Sequence, residues 1–153
     1  MNMIDAQLKM QIETFADKAL GTGATPRDIA NAEEALGVQL PPTYRDFLSE
    51  YGWARFSTEE LYGIGDSVPS HLELVRNVVA ERNEMEPKLP IHLIPILNDG
   101  AGNHYCMDAS PTQQATFPVV FWDHAMGSNQ TPERVNNSFD AWLIELLKRL
   151  ELR

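Results

Sequence analysis

The chain has 153 residues, 43% of them apolar and 22% charged, with 22 acids set against 12 basic residues for a formal net charge of −10. That composition suits a soluble globular protein of one domain, residues 1–153, which can bury a core without disulfides or a structural metal, and it excludes a disordered tail. An acidic surface repels a phosphate backbone, which argues against direct nucleic-acid binding; it either attracts a basic partner or simply keeps the protein soluble.

Cys106 is the single cysteine, so an internal disulfide and a Cys-based zinc cluster are excluded. No run reaches the ~20 apolar residues of a membrane helix. The stretch MNMIDAQLKMQIETF is amphipathic and lacks the basic start and apolar run of a signal peptide. A cytoplasmic location away from the membrane is expected.

Ile4, Leu8, Ile12, Phe15 and Ala19 fall on one helical face, predicting a helix over Ile4 to Leu20 within an N-terminal segment 1–22. TPRDIANAEEALG is a second helix: Thr25 caps it, Pro26 takes the first position, Asp28 completes an acidic capping box and Gly37 ends it. Ile29, Ala32 and Leu36 form its inner stripe. After the elbow at Leu40 and the two prolines, a third helix is predicted from Pro42 to about Tyr51, with Tyr44, Phe47, Leu48 and Tyr51 inward and Gly52 closing it.

Trp53 to Gly65 reads as short strands. PSHLELVRNVVAERNEM returns to helix, with Ser70 as cap, Glu73 completing the box, and Leu74, Val75, Val78 and Val79 buried. LPIHLIPILND, HYCMD and ATFPVVFWDH are three strands, and Pro95 belongs at an edge or a bulge. MGSNQTPE is a loop. SFDAWLIELLKRLEL is a helix capped by Ser138, with Phe139, Trp142, Leu143, Leu146, Leu147 and Leu150 inward. The strands after Pro90 are joined by short turns and pair antiparallel. The expected class is α+β: a mainly antiparallel sheet with helices packed on one face, including N- and C-terminal helices.

NDGAGN, between two strand-like runs, reads as a hairpin loop. Glycine supplies the positive φ, and Asp99 and Asn103 bond their own backbone. Asp99, Asn103 and Asp108 resemble spaced calcium ligands, but the alternating acids and the terminal glutamate of an EF-hand are missing. Nor does a helix start or a lysine follow the glycines to hold a phosphate. Cys106 and His104, two apart on a strand, share a face, and a thiol–imidazole hydrolase is the weakest of the readings weighed; a buried structural cysteine is preferred. His71, His92, His104 and His124 make no zinc motif and are expected at the surface or at strand ends. Glu33–Glu34 and Glu59–Glu60 read as solvated charge. No motif carries chemistry, no cofactor or metal is implied, and an enzyme is not expected.

Three stretches in order, EEALGVQLPPTYRDFLSEYG, IPILNDGAGNHYCMD and PVVFWDHAMG with the closing SFDAWLIELL, resemble the SUKH superfamily, the Smi/Knr-type domain, from about Thr25 to Leu147. Glu33, Leu36, Gly37, Leu40, Pro41, Tyr44, Phe47, Leu48 and Gly52 match its first pattern. Asp99, Gly100, Gly102, Tyr105 and Asp108 match the central D-G-x-G-D-x-Y-x-x-D, where Asn103 departs from the usual Asp. Trp122, Asp123 and His124 match the third.

The resemblance implies an α+β fold and a non-catalytic role. Bacterial members are mostly immunity proteins that bind and neutralise secreted toxin domains, often nucleases, and fungal members act as cell-wall regulators through protein contacts. The expectation is therefore a cytoplasmic immunity protein with a cognate toxin domain, basic in character, as its partner. An intracellular regulator or scaffold is the alternative. Nuclease clefts are basic, and the charge of −10 suits them by fast, steered association. Candidate contacts are Glu59, Glu60, Asp66, Asp99, Asn103, Trp122 and Asp123.

Overall fold

Residues 4–113 and 116–153 are described by a computed structural model. Met1–Met3 and Ala115, which begin two of the predicted stretches, lie outside the described residues. The elements run α1 (Ala6–Thr14), β1 (Lys18–Leu20), α2 (Pro26–Leu36), α3 (Pro42–Tyr51), β2 (Ala54–Phe56), β3 (Glu59–Leu61), α4 (Leu74–Asn83), β4 (Leu93–Asn98), β5 (His104–Asp108), β6 (Val119–Trp122), β7 (Glu133–Asn136) and α5 (Phe139–Glu151). One seven-stranded sheet takes the strands in chain order, every neighbouring pair antiparallel. The α+β class is as expected.

Helix α1 is shorter than its apolar spacing predicts. It ends at Thr14, and Phe15 turns extended. Lys18–Leu20 then pairs with β2, Lys18 opposite Phe56 and Leu20 opposite Ala54. A strand satisfies that backbone, Arg55 reaches Asp17 at 3.2 Å, and Phe15 packs edge-on against Phe56. The same apolar residues serve either period, and the sheet edge decides between them.

Helices α2 and α3 are as their signals predict. Thr25 accepts the N–H of Asp28, and the Asp28 carboxylate accepts that of Thr25. Ile29, Ala32 and Leu36, then Tyr44, Phe47, Leu48 and Tyr51, are buried. The cap of α4 is a correction. Ser70–Leu72 forms a separate 3₁₀ turn, and Glu73 itself caps the helix, accepting the N–H groups of Val75 and Arg76. Leu74 and Val78 are buried, Val75 only partly so, and Val79 is exposed.

Pro95 sits at a bulge in an interior strand, where the β4–β5 register shifts between Pro95 and Leu97. MGSNQTPE is less of a loop than predicted. His124–Met126 makes a 3₁₀ turn, and Glu133 opens β7, a strand whose polar sequence ERVN gives no apolar alternation to read.

Alternation along β5 and β6 builds two cores. Met107 and Val119 join the main core, and Tyr105 packs against Phe121 and, at 5.7 Å between ring centroids, against Trp142 of α5. Phe139 of the same helix meets Tyr44 and Phe47 of α3 at 5.1 and 5.4 Å. The six inward residues predicted for α5 are all buried, each contributing about 1.5–3 kcal/mol for a large apolar side chain. Leu89, Leu93, Cys106, Val120 and Trp122 form a smaller second cluster from the alternate positions.

Candidate functional site

The loop Asp99–Asn103 is the hairpin turn between β4 and β5, closed by the Asp99 N–H donating to the Asn103 carbonyl at 3.0 Å. Gly100 and Gly102 both have positive φ, 88° and 91°. A side chain at Gly102 would also press on the His124 ring, its Cβ 3.2 Å away. The Asp99 carboxylate organises the turn. It accepts the N–H groups of Ala101 and Asn103 at 2.8 and 3.1 Å, and the Asn103 side-chain amide at 3.0 Å. Burial works to raise its pKa, but these hydrogen bonds prevail and hold it below the usual carboxylate value.

Asn103 faces two ways. Its amide N–H donates to Asp99, and its carbonyl oxygen accepts both the backbone N–H of His124 at 3.1 Å and the ring Nδ1–H at 2.7 Å. In this chain the amide, unlike a carboxylate, can donate to Asp99 while it accepts from His124. The turn after β6 is thereby tied to the turn after β4. Asp123 caps its own side of this junction, accepting the N–H of Ala125 at 2.9 Å.

Beside the loop lies a cleft of about 490 Å³. Its walls come from Glu59 and Glu60 of β3, His71 of the 3₁₀ turn, Asn77 of α4, and Asn98, Asp99, Gly100 and Gly102 of the hairpin, with the buried Tyr62 beneath. His71 Nε2 stands 3.1 Å from the Glu60 carboxylate, both side chains exposed. A second cleft, about 160 Å³, shares Glu59 and Asp99 and continues to Trp142, Arg149 and Arg153. Glu59 and Asp99 thus form a ridge between an acid-lined hollow and the basic end of α5.

Of the candidate contacts, Glu59, Glu60 and Asp99 come together in the first cleft. Asn103 and Asp123 flank it through the His124 junction. Asp66 is exposed on a different turn and does not line it. Trp122 is corrected: at 2% exposed it belongs to the second core cluster and offers no surface, because its strand position turns it away from solvent.

His104 opens β5, a strand end as expected, and is buried there at 1% exposed. Glu33 is not merely solvated charge, for it accepts the N–H of Leu40 at 2.7 Å. Tyr62, His71, Asn77 and Asn98 were not singled out in the sequence. They lie far apart in the chain, and only the β3–β4 pairing and the 3₁₀ turn assemble them.

Cys106 is fully buried, and burial pushes its thiol well above the ordinary value. Its polar contact is the His104 carbonyl, at 3.9 Å, while the His104 ring engages Tyr62. Burial and the nearby Glu81 and Asp108 carboxylates all disfavour the thiolate. Among the described residues, no group of three His, Cys, Asp or Glu could hold a metal ion, and no helix is long and apolar enough to cross a membrane.

The SUKH_5 family, described as SMI1-KNR4 cell-wall, matches residues 1–148. The SPbeta prophage-derived uncharacterized protein YokK of Bacillus subtilis (strain 168) is 25% identical over 152 residues, covering 80% of this chain and 74% of its own length. With the match running over nearly the whole sequence, the chain belongs to the SMI1-KNR4 (SUKH) family.

Proposed function

We propose that this is an immunity protein, one that binds a cognate secreted toxin domain in the bacterial cytoplasm and neutralises it without catalysis. The observation that carries the reading is the acid-lined cleft, where Glu59, Glu60 and Asp99 converge from β3 and the β4–β5 hairpin. Family membership supports it, and so does the net charge of −10. Two carboxylates on a strand and one on a hydrogen-bonded turn present fixed negative charge to a basic loop or lysine-rich surface. That arrangement speeds encounter and selects against acidic partners. A nuclease domain, whose own cleft is basic for phosphate, is the favoured class of toxin. In this reading Asp123 and Asn103 support the surface from the adjoining turn, and Asp66, on a different turn, is not part of it.

Co-expression of the chain with the toxin domain encoded beside it tests the proposal. Survival together with a stable co-purifying complex is the expected result. Cell death without a complex would overturn it and favour a regulator acting through other protein contacts.

A further inference from the structure

Tyr62, His104 and Glu81 reach one buried point from three elements: the end of β3, the start of β5 and the last turns of α4. His104 Nε2 lies 3.2 Å from the Tyr62 hydroxyl. Its Nδ1 lies 3.8 Å from the Glu81 carboxylate and has no hydrogen-bond partner of its own. Tyr62 is 5% exposed and lines the cleft. Its backbone is fixed on both sides: the carbonyl accepts the Tyr44 hydroxyl and the N–H donates to Ile96.

Two tautomers of neutral His104 are to be compared. With the proton on Nε2, Nε2–H donates to the Tyr62 oxygen, the phenolic proton needs a second acceptor, and the bare Nδ1 lone pair faces the Glu81 carboxylate. With the proton on Nδ1, Nε2 accepts from Tyr62 and Nδ1–H points toward Glu81. The second arrangement sets an N–H rather than a lone pair against the Glu81 carboxylate and needs no further acceptor for the Tyr62 proton. We propose that His104 is a positioning residue in a Tyr62–His104–Glu81 relay, which holds the Tyr62 hydroxyl proton inward at neutral pH and turns it toward the cleft when His104 is protonated.

Protonation from solvent makes Nε2 a donor to the Tyr62 oxygen. The phenolic proton then leaves the imidazole for the cleft that Tyr62 lines, where solvent accepts it; Asn98 is the neighbouring side chain there, its Oδ1 already held by the Gly100 N–H. The charged and titratable groups around His104 are Glu81 from α4, Asp99 from the hairpin, His124 from the turn after β6, Tyr62 from the end of β3 and Cys106 on its own strand. Burial pushes the imidazole below its ordinary value; Asp99 opposes this and His124 adds to it. Burial also raises the Glu81 carboxyl.

The inference rests on the reading of the cleft as a docking surface only for what Tyr62 is turned toward. Its test uses the free protein, so its failure is distinct from failure of the co-expression experiment. Imidazole ¹⁵N shifts are measured against pH on the full chain, with His124→Asn as a background that removes the neighbouring imidazole signal. The expected result is an Nδ1–H tautomer for His104 at pH 7 and a midpoint below 6.5, with the Tyr62 and Asn98 amides following the same midpoint. Glu81→Gln should lower that midpoint further, and Tyr62→Phe should raise the share of the Nε2–H form. A neutral Nε2–H tautomer, or a tautomer ratio that Tyr62→Phe leaves unmoved, would overturn the relay, since charge at Glu81 alone would shift the midpoint of any buried histidine but would not tie its tautomer to Tyr62.

Discussion

The carboxylate of Glu33 on α2 accepts the backbone N–H of Leu40 at 2.7 Å. The bond spans the end of the helix at Gly37 and fixes the elbow that launches α3, with Leu40 itself 1% exposed. A charged acceptor on a half-buried backbone donor is worth about 1.5–3 kcal/mol, and removing it strands the donor. Glu33→Ala should therefore lower stability by roughly 2 kcal/mol in urea denaturation. Glu34→Ala, one residue away and exposed, should change it by less than about 0.5 kcal/mol. Equal effects of the two would show that the elbow does not depend on this bond.

The Asn103 amide provides the second prediction. It donates to Asp99 and accepts from His124; an acid in its place could still accept from His124 but could not donate to Asp99. Asn103→Asp places two carboxylates against each other in the hairpin. It should cost about 1 kcal/mol or more at pH 8 and low salt, the cost of a lost charge-assisted hydrogen bond, and less in high salt. Acidification into the carboxylate range should recover part of the loss, because protonating one of the two carboxyls ends their repulsion. Stability that is unchanged at pH 8, or that worsens on acidification relative to the parent chain, would refute this account of the turn.

The local signals in the sequence were strongest where one short segment satisfies itself. The Thr25–Asp28 box, the Asp99 turn and the six inward residues of α5 all read directly, because cap, turn and stripe depend on neighbours in the chain. What could not be read needed tertiary context. Lys18–Leu20 takes the strand form because β2 is there to pair with it. His104 is buried because Tyr62 and Glu81 arrive from elsewhere, and Trp122 is buried because Leu89 and Leu93 cover it. The cleft was half legible. Its acids stood out as charge, whereas His71, Asn77 and Tyr62 carry no pattern that places them beside Glu60.

Asp140 gives stability a pH dependence. It lies in the first turn of α5 with Oδ1 buried and without a partner, and burial, with Asp5 and Asp46 nearby, raises its carboxyl from 3.8 to about 6. The folded value lies above the unfolded one, so the folded state holds the proton more tightly. This contribution to stability is complete below about pH 4 and is lost as the pH rises through about 6. Asp140→Asn removes the penalty at higher pH. After allowance for partial exposure and for the ~0.3–1 kcal/mol that a negative charge gains at a helix N-terminus, the variant should be more stable by on the order of 1 kcal/mol at pH 8. The difference should shrink toward zero near pH 4. Thermal unfolding at the two pH values checks it, and an equal shift at both would rule out titration of Asp140 as the cause.

Glu59 and Glu60 test the docking surface without disturbing the fold. Both are partly exposed on β3, and among the described residues the one ion pair that involves them, Glu60 with His71, joins exposed side chains. Their replacement by lysine should cost no more than about 1 kcal/mol of stability. Asp99 is a poorer probe, since it holds the hairpin through three hydrogen bonds and its loss would confuse binding with folding. For a basic partner, Glu59→Lys with Glu60→Lys converts steering into repulsion at the cleft mouth. Association measured by stopped flow should slow by roughly tenfold at low salt and approach the parent rate as salt screens the field. Dissociation should change less than association, because charges at the rim act mainly before contact. A double variant that folds, binds at the parent rate at low salt and still protects cells would remove the cleft from the interface, and with it the electrostatic basis of the proposed immunity.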